Sequence, residues 1–186
     1  YNFQLMRYIG EDGIAAYGVI MYVSFIFIAI FIGYSIGSAP VIGYHYGAGN
    51  HAELKGLFRK SLCLIILWNI LLTVLAIATA QPLARIFVGY DAELTALTRR
   101  GLCMYSLSFL VTGMNVFGSA FFTALGNGIV SAAISFLRTL LFQIAAVLIL
   151  PLFLGLDGIW LAIVAAELLA LIVTIGFFVK HGKYYH

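Results

Sequence analysis

The stretch GIAAYGVIMYVSFIFIAIFIGYSIGSAPVIGYHYGAGN, residues 13–50, decides how the rest of the chain is read. From 14 to 44 it contains no Asp, Glu, Lys or Arg. A bilayer core ~30 Å thick is crossed by ~20 apolar residues in a helix, so the run is long enough to span one. Its end, PVIGYHYGAGN at 40–50, is glycine-rich and has two readings. A phosphate-gripping loop follows a strand and closes on Gly-Lys-Ser/Thr, whereas this segment follows a membrane-length helix and continues into Gly-Ala-Gly-Asn-His-Ala-Glu. It reads as a helix-to-helix turn. Gly47 and Gly49 suit positive φ at a helix C-terminus, and Asn50 followed three residues later by Glu53 has the form of a capping box. Beyond it Leu54, Leu57 and Phe58 share one face while Lys55, Arg59 and Lys60 lie elsewhere, the pattern of a short helix resting in the headgroup layer. Gly33 and Gly37, like Gly43 and Gly47, are spaced by four. That spacing lets a neighbouring backbone approach closely, or, together with Pro40, loosens the helix for bending.

Outward from this stretch the composition agrees. Of 186 residues 63% are hydrophobic and 9% are charged, against roughly 25% charged in soluble domains. A net charge of +3 with scattered cations excludes a nucleic-acid surface. Cys63 and Cys103 fall in apolar runs and read as packing residues. The chain begins at Tyr1 without a leader pattern, and the expectation is a piece of a longer polypeptide. Five charge-poor spans emerge, at 14–44, 61–80, 102–125, 129–154 and 158–179. Gln81-Pro82, Gly126-Asn127-Gly128, Gly155 and Asp157 mark their ends. The expected fold is an all-α integral membrane bundle, since only helices and closed barrels satisfy their backbone groups in lipid and barrel-type alternating strands are missing. The lipid bilayer is thus the first partner. One side of it carries Lys55, Arg59, Lys60, Lys180 and Lys183, the other Arg7, Arg85, Arg99 and Arg100, a split too even to orient the chain.

Two ionisable residues fall at bilayer depth, Arg138 in the fourth span and Glu167 in the fifth. At ~1.5 Å per residue they lie ~14 Å and ~20 Å from the same membrane side, close enough for an ion pair between antiparallel neighbours. Such a pair either fixes packing or binds a coupling cation or proton at Glu167, with Arg138 stabilising the carboxylate. Asn69, Asn115 and Gln143 either join helices or line a cavity. The aromatics Tyr17, Tyr22, Phe25, Phe27, Phe31 and Tyr34 crowd the first span, where apolar stripes face lipid, neighbouring helices or a cavity. His45 and His51 flank the turn without acid or Cys partners at ligand spacing, so no metal site is expected. No span offers a nucleophile with its base, so an enzyme is not expected, nor any organic cofactor.

Read in order, GIAAYGVI (13–20), GSAPVIGYHYGAGN (37–50), RIFV (85–88), GSAFFTALGN (118–127), SFLRTLLF (135–142) and LPLFLGLDGIWLAIVAAELL (150–169) resemble the C-terminal lobe of multidrug and toxic compound extrusion (MATE) transporters, of the bacterial branch that includes the DNA-damage-inducible type. The resemblance covers essentially the whole chain. It implies a twelve-helix antiporter of two six-helix lobes in the bacterial inner membrane. Such an antiporter exports small organic, often cationic compounds against a Na⁺ or H⁺ gradient, with both termini cytoplasmic. The five spans then match spans eight to twelve, residues 1–10 end span seven, and the N-terminal lobe is a missing partner. Some family members hold the cation with acids in spans seven and ten, and span ten here offers Asn115 instead; others use an acid in the first span. Arg138 matches the family's arginine in span eleven and Glu167 an acid found in span twelve. Thr123 stands where Gln is common, and Ala145 and Ala165 where prolines are frequent, which implies straighter final helices. The alternatives are a lipid-linked oligosaccharide flippase of the same superfamily and a non-transporting structural subunit.

Overall fold

The computed structural model describes residues 1–182, so Lys183 lies outside the described residues. The chain is helical almost throughout: α1 (Asn2–Tyr8), α2 (Glu11–Gly47), α3 (His51–Val88), α4 (Ala92–Ser106), α5 (Phe109–Ala124), α6 (Gly128–Phe136), a π-helical turn (Leu137–Phe142), α7 (Gln143–Leu154) and α8 (Leu156–Lys180). Four helical stretches are long and apolar enough to cross a membrane: α2, α3, α6 through α7, and α8. Taken together, α4 and α5 pass the same test as one stretch bent by 49° at their junction.

Two of the turns use one device. At Gly49 and again at Gly126 the backbone takes positive φ (69° and 75°), and the Asn that follows caps the next helix. Asn50 accepts from the Glu53 amide and Asn127 from the Val130 amide, both at 3.3 Å. The Asn50 amide itself bonds to His45 O at 2.9 Å, so only half of the expected capping box forms. Gly47 is not at positive φ; it is the last helical residue of α2.

Several expected boundaries move. The amphipathic segment after Asn50 is not a separate headgroup helix but the opening turns of α3, with Leu54 and Phe58 buried and Lys55, Arg59 and Lys60 exposed. Gln81-Pro82 does not end that helix, which continues to Val88. Pro82 is exposed, and Thr79 bonds the Leu75 carbonyl at 2.7 Å one turn earlier, the kind of hydroxyl support that lets proline sit in a membrane helix. Pro40 likewise lies inside α2. The third span starts at Ala92 instead of 102 and breaks at Leu107-Ser108. There the backbone tightens to i→i+3 bonds, while Ser106 and Thr112 hydroxyls bond the carbonyls four residues back, a pattern that bends helices. Asp157 does not cap α8 but pairs with Arg100 across the bundle end.

The core has two apolar clusters stacked along the bundle. One gathers Ile20, Val23, Leu102, Phe109 and Trp160; the other gathers Phe58, Phe117, Phe121, Phe122 and Phe178. Gly113 lies where three helices meet: a Cβ there would collide with the Asn69 side chain of α3 and the Phe31 ring of α2. Of the spaced glycines in α2 only Gly43 packs, against the Ala124 carbonyl; Gly33, Gly37 and Gly47 face open space within the chain. Cys63 is exposed, not packed, and Cys103 is half-buried.

Because Gly113 has no room for a methyl group, Gly113→Ala is expected to destabilise the bundle by about 1–3 kcal/mol through overpacking. Gly176→Ala, in α8 with open space around it, is expected to be neutral or slightly stabilising in the same thermal-unfolding assay in detergent.

Candidate functional site

Between the two apolar clusters lies a buried polar network. Glu167 on α8 is 2% exposed. Its Oε1 accepts from Arg138 Nε at 2.8 Å, and its Oε2 accepts from Asn115 Nδ2 at 2.7 Å. The same amide nitrogen donates to the Glu167 carbonyl at 2.9 Å, and Asn115 Oδ1 accepts from Thr174 Oγ1 at 2.9 Å. Both carboxylate oxygens and both polar atoms of the Asn115 amide are therefore engaged. A carboxylate withdrawn from water this far is tolerated only with an opposite charge and hydrogen bonds, and it has both. Depth agrees with burial, since Glu167 is ~15 Å along α8 from Asp157 and ~20 Å from Lys180.

The backbone places these groups. Glu167 and Thr174 are seven residues apart on one face of α8, which turns them toward Asn115 in the middle of α5. Arg138 sits in the π-helical turn, where the span widens by one residue per turn and the i→i+4 ladder is interrupted. The ring of Tyr105 and that of Tyr1 lie within electrostatic reach of Glu167. Gln143 stands beside the Tyr1 hydroxyl.

The residues singled out from the sequence divide accordingly. Arg138, Glu167 and Asn115 come together, and Gln143 borders them. Asn69 stands apart in α3: its carbonyl accepts from Thr73, and its buried Oδ1 has no hydrogen-bond partner among the described residues. The turn residues Gly47, Gly49, Asn50 and Glu53 sit where α2 passes into α3, and Pro40 lies inside α2. Of the aromatics in α2, Phe27 and Phe31 are buried, Tyr17 and Tyr34 half-buried, and Tyr22 and Phe25 exposed. Thr174 and most of a hydroxyl ladder between α5 and α6 lie outside the sequence reading, which names only Thr123 of its members. In that ladder Ser119 contacts Ser131 at 2.9 Å and Ser135 at 2.8 Å, and Thr123 donates to Ser131 at 2.7 Å. The signal was present, because Ser119/Thr123 and Ser131/Ser135 are i,i+4 pairs on consecutive antiparallel helices.

A bundle of membrane-length helices, with one broken span, one π-bulged span and an ion pair at mid-depth, defines a polytopic α-helical membrane protein. The chain belongs to the MatE family, whose model matches residues 2–149. It is similar in fold to an inward-facing structure of a multidrug resistance MATE family transporter (TM-score 0.91, 21% identity, 98% of this chain and 42% of that one). An outward-facing structure described in the same terms matches equally well (TM-score 0.90, 22% identity, 98% and 41%). A bent form of the Vibrio cholerae MATE transporter VcmN matches at TM-score 0.86 and 18% identity over 100% of this chain and 43% of that one. The chain thus spans about two fifths of the length of the structures it matches. No curated protein matches it significantly.

Removing Arg138, whose side chain is only half-buried, leaves the buried Glu167 carboxylate stranded. Arg138→Met is expected to destabilise the protein by about 3 kcal/mol, and the double change Arg138→Met with Glu167→Gln to recover most of that loss. Thermal unfolding of the two single variants and the double variant in detergent measures the coupling.

Proposed function

We infer that this chain is the C-terminal lobe of a cation-coupled antiporter that exports small organic, often cationic compounds in exchange for Na⁺ or H⁺. The observation that carries the reading is the mid-membrane carboxylate of Glu167, paired with Arg138 inside a π-helical turn. Ionisable groups at this depth are expensive and are kept where an ion or proton must be handled. A cation or proton arriving at Glu167 competes with Arg138 for the same oxygens. Once released, the guanidinium swings away, and the π turn offers a backbone that shifts register at little expense. Charge at Glu167 is thereby linked to the conformation of the span that carries Arg138.

The near-equal likeness of this lobe to an inward-facing and an outward-facing structure supports alternating access by lobes that move largely as units. The substrate face is the aromatic side of α2, where Tyr17, Tyr22 and Phe25 border a shallow groove of about 370 Å³. Aromatic faces of this kind attract organic cations. The groove would be closed by an N-terminal lobe. In this reading the protein resides in a bacterial inner membrane with the Lys55, Arg59, Lys60 and Lys180 end in the cytoplasm.

The test is dye efflux from cells expressing the full-length protein. Glu167→Gln is expected to reduce gradient-driven efflux by about tenfold or more and to flatten its dependence on pH or Na⁺. Unchanged efflux with unchanged ion dependence rejects the role of Glu167. Absence of any ionophore-sensitive efflux by the intact protein instead favours the flippase or the structural subunit.

A further inference from the structure

At the end of the bundle away from the Asn50 turn, α3 and α4 enclose an open groove of about 590 Å³ lined in part by Gln81, Arg85, Thr95, Arg99 and Arg100. Arg85 is ~37 Å along α3 from Lys60, one bilayer thickness away, so the groove is at headgroup level. All three arginines are exposed. Arg100 is paired with Asp157, whereas Arg85 and Arg99 have no carboxylate partner among the described residues. Asp91 and Glu93 are close in sequence but do not line the groove, and Asp91 Oδ1 is occupied in capping α4 through the Glu93 and Leu94 amides.

Toward the bilayer centre the same side of α3 turns apolar at once. Ile77, one turn below Gln81, is 41% exposed and Val74, nearly another turn below, is 60% exposed. A ligand that satisfies both halves carries a phosphate for the guanidinium forks and hydrocarbon for the flanking side chains. The residue type points the same way: Arg7, Arg85, Arg99 and Arg100 supply this end, while Lys55, Lys60 and Lys180 dominate the other. Guanidinium binds phosphate bidentately where an ammonium acts as a point charge.

We propose that this groove is a binding site for an anionic phospholipid, with Arg85 and Arg99 holding the phosphate and Ile77 and Val74 lying along the acyl chains. Basic pockets between membrane helices recognise lipid headgroups in this way. The site is separate from the Glu167 network and does not depend on its role.

Native mass spectrometry of the full-length protein in mild detergent, with phosphatidylglycerol and phosphatidylcholine added in equal amounts, tests the proposal. Phosphatidylglycerol is expected to be retained about tenfold over phosphatidylcholine. The double variant Arg85→Gln/Arg99→Gln is expected to lose that preference, and Arg85→Lys/Arg99→Lys, which keeps charge and fold but removes the forks, to retain the lipid several-fold less than wild type. Equal retention of the two lipids by wild type overturns the site, and retention by the Lys pair equal to wild type overturns its basis in the forks. Displacement of the lipid by inorganic phosphate alone would make it a phosphate site and overturn the lipid assignment.

Discussion

A carboxylate cannot be left alone in the middle of an apolar bundle, and the requirement that Glu167 be matched organises this lobe. Its two oxygens take Arg138 from the π-helical turn and Asn115 from α5, and Asn115 in turn takes Thr174 back on α8. Three separate spans are tied together here by a buried carboxylate and the groups that match it. Apolar packing above and below this point is generic by comparison, because leucine and phenylalanine contacts do not dictate register as strictly as a charge and its partners do.

Irregular backbone gathers near the same site. The π turn carries Arg138, and the α4/α5 break at Leu107-Ser108 comes two turns before Asn115. Below the π turn the hydroxyl ladder of Ser119, Thr123, Ser131 and Ser135 joins α5 to α6 with neutral hydrogen bonds. The lobe therefore has a polar seam flanked by two aromatic-rich clusters. Deviations from the regular helix are affordable where side-chain partners hold the chain in place, and they provide the local freedom that a change of charge at Glu167 would use. Thr123, where a glutamine is common in the family branch that the sequence resembles, is one rung of this seam.

Much of this was legible in the residues. Uninterrupted apolar runs gave the spans, and the Gly49-Asn50 and Gly126-Asn127 pairs gave the turns, since positive φ and side-chain capping are local demands with local signatures. Helical rise on consecutive antiparallel spans put Arg138 and Glu167 within reach of each other and left open whether they pair; the 2.8 Å contact is what the structure adds. What stayed hidden was cooperative. Pro82 looks like a stop, yet the helix continues because proline there is exposed and a nearby hydroxyl supports the turn before it. The break at Leu107-Ser108 has no proline or glycine to announce it and arises from serine and threonine hydroxyls bonding backward. The π turn has no sequence signature at all. Asn69 looked equivalent to Asn115 by type, and only the structure shows that its side chain lies against Gly113 of α5 and not in the Glu167 network.

The ion pair at the centre of this account is a statement about distance in a lipid environment. Solid-state NMR of the full-length protein in bilayers, with ¹⁵N-arginine and ¹³C-glutamate labels and the Arg138→Met spectrum subtracted, measures the dipolar coupling between Arg138 Nε and the Glu167 carboxyl carbon directly. The account requires a strong through-space coupling that vanishes in Glu167→Gln protein labelled the same way. Lack of coupling in a folded sample would mean that the two side chains do not meet, and that the lobe is held together by something else.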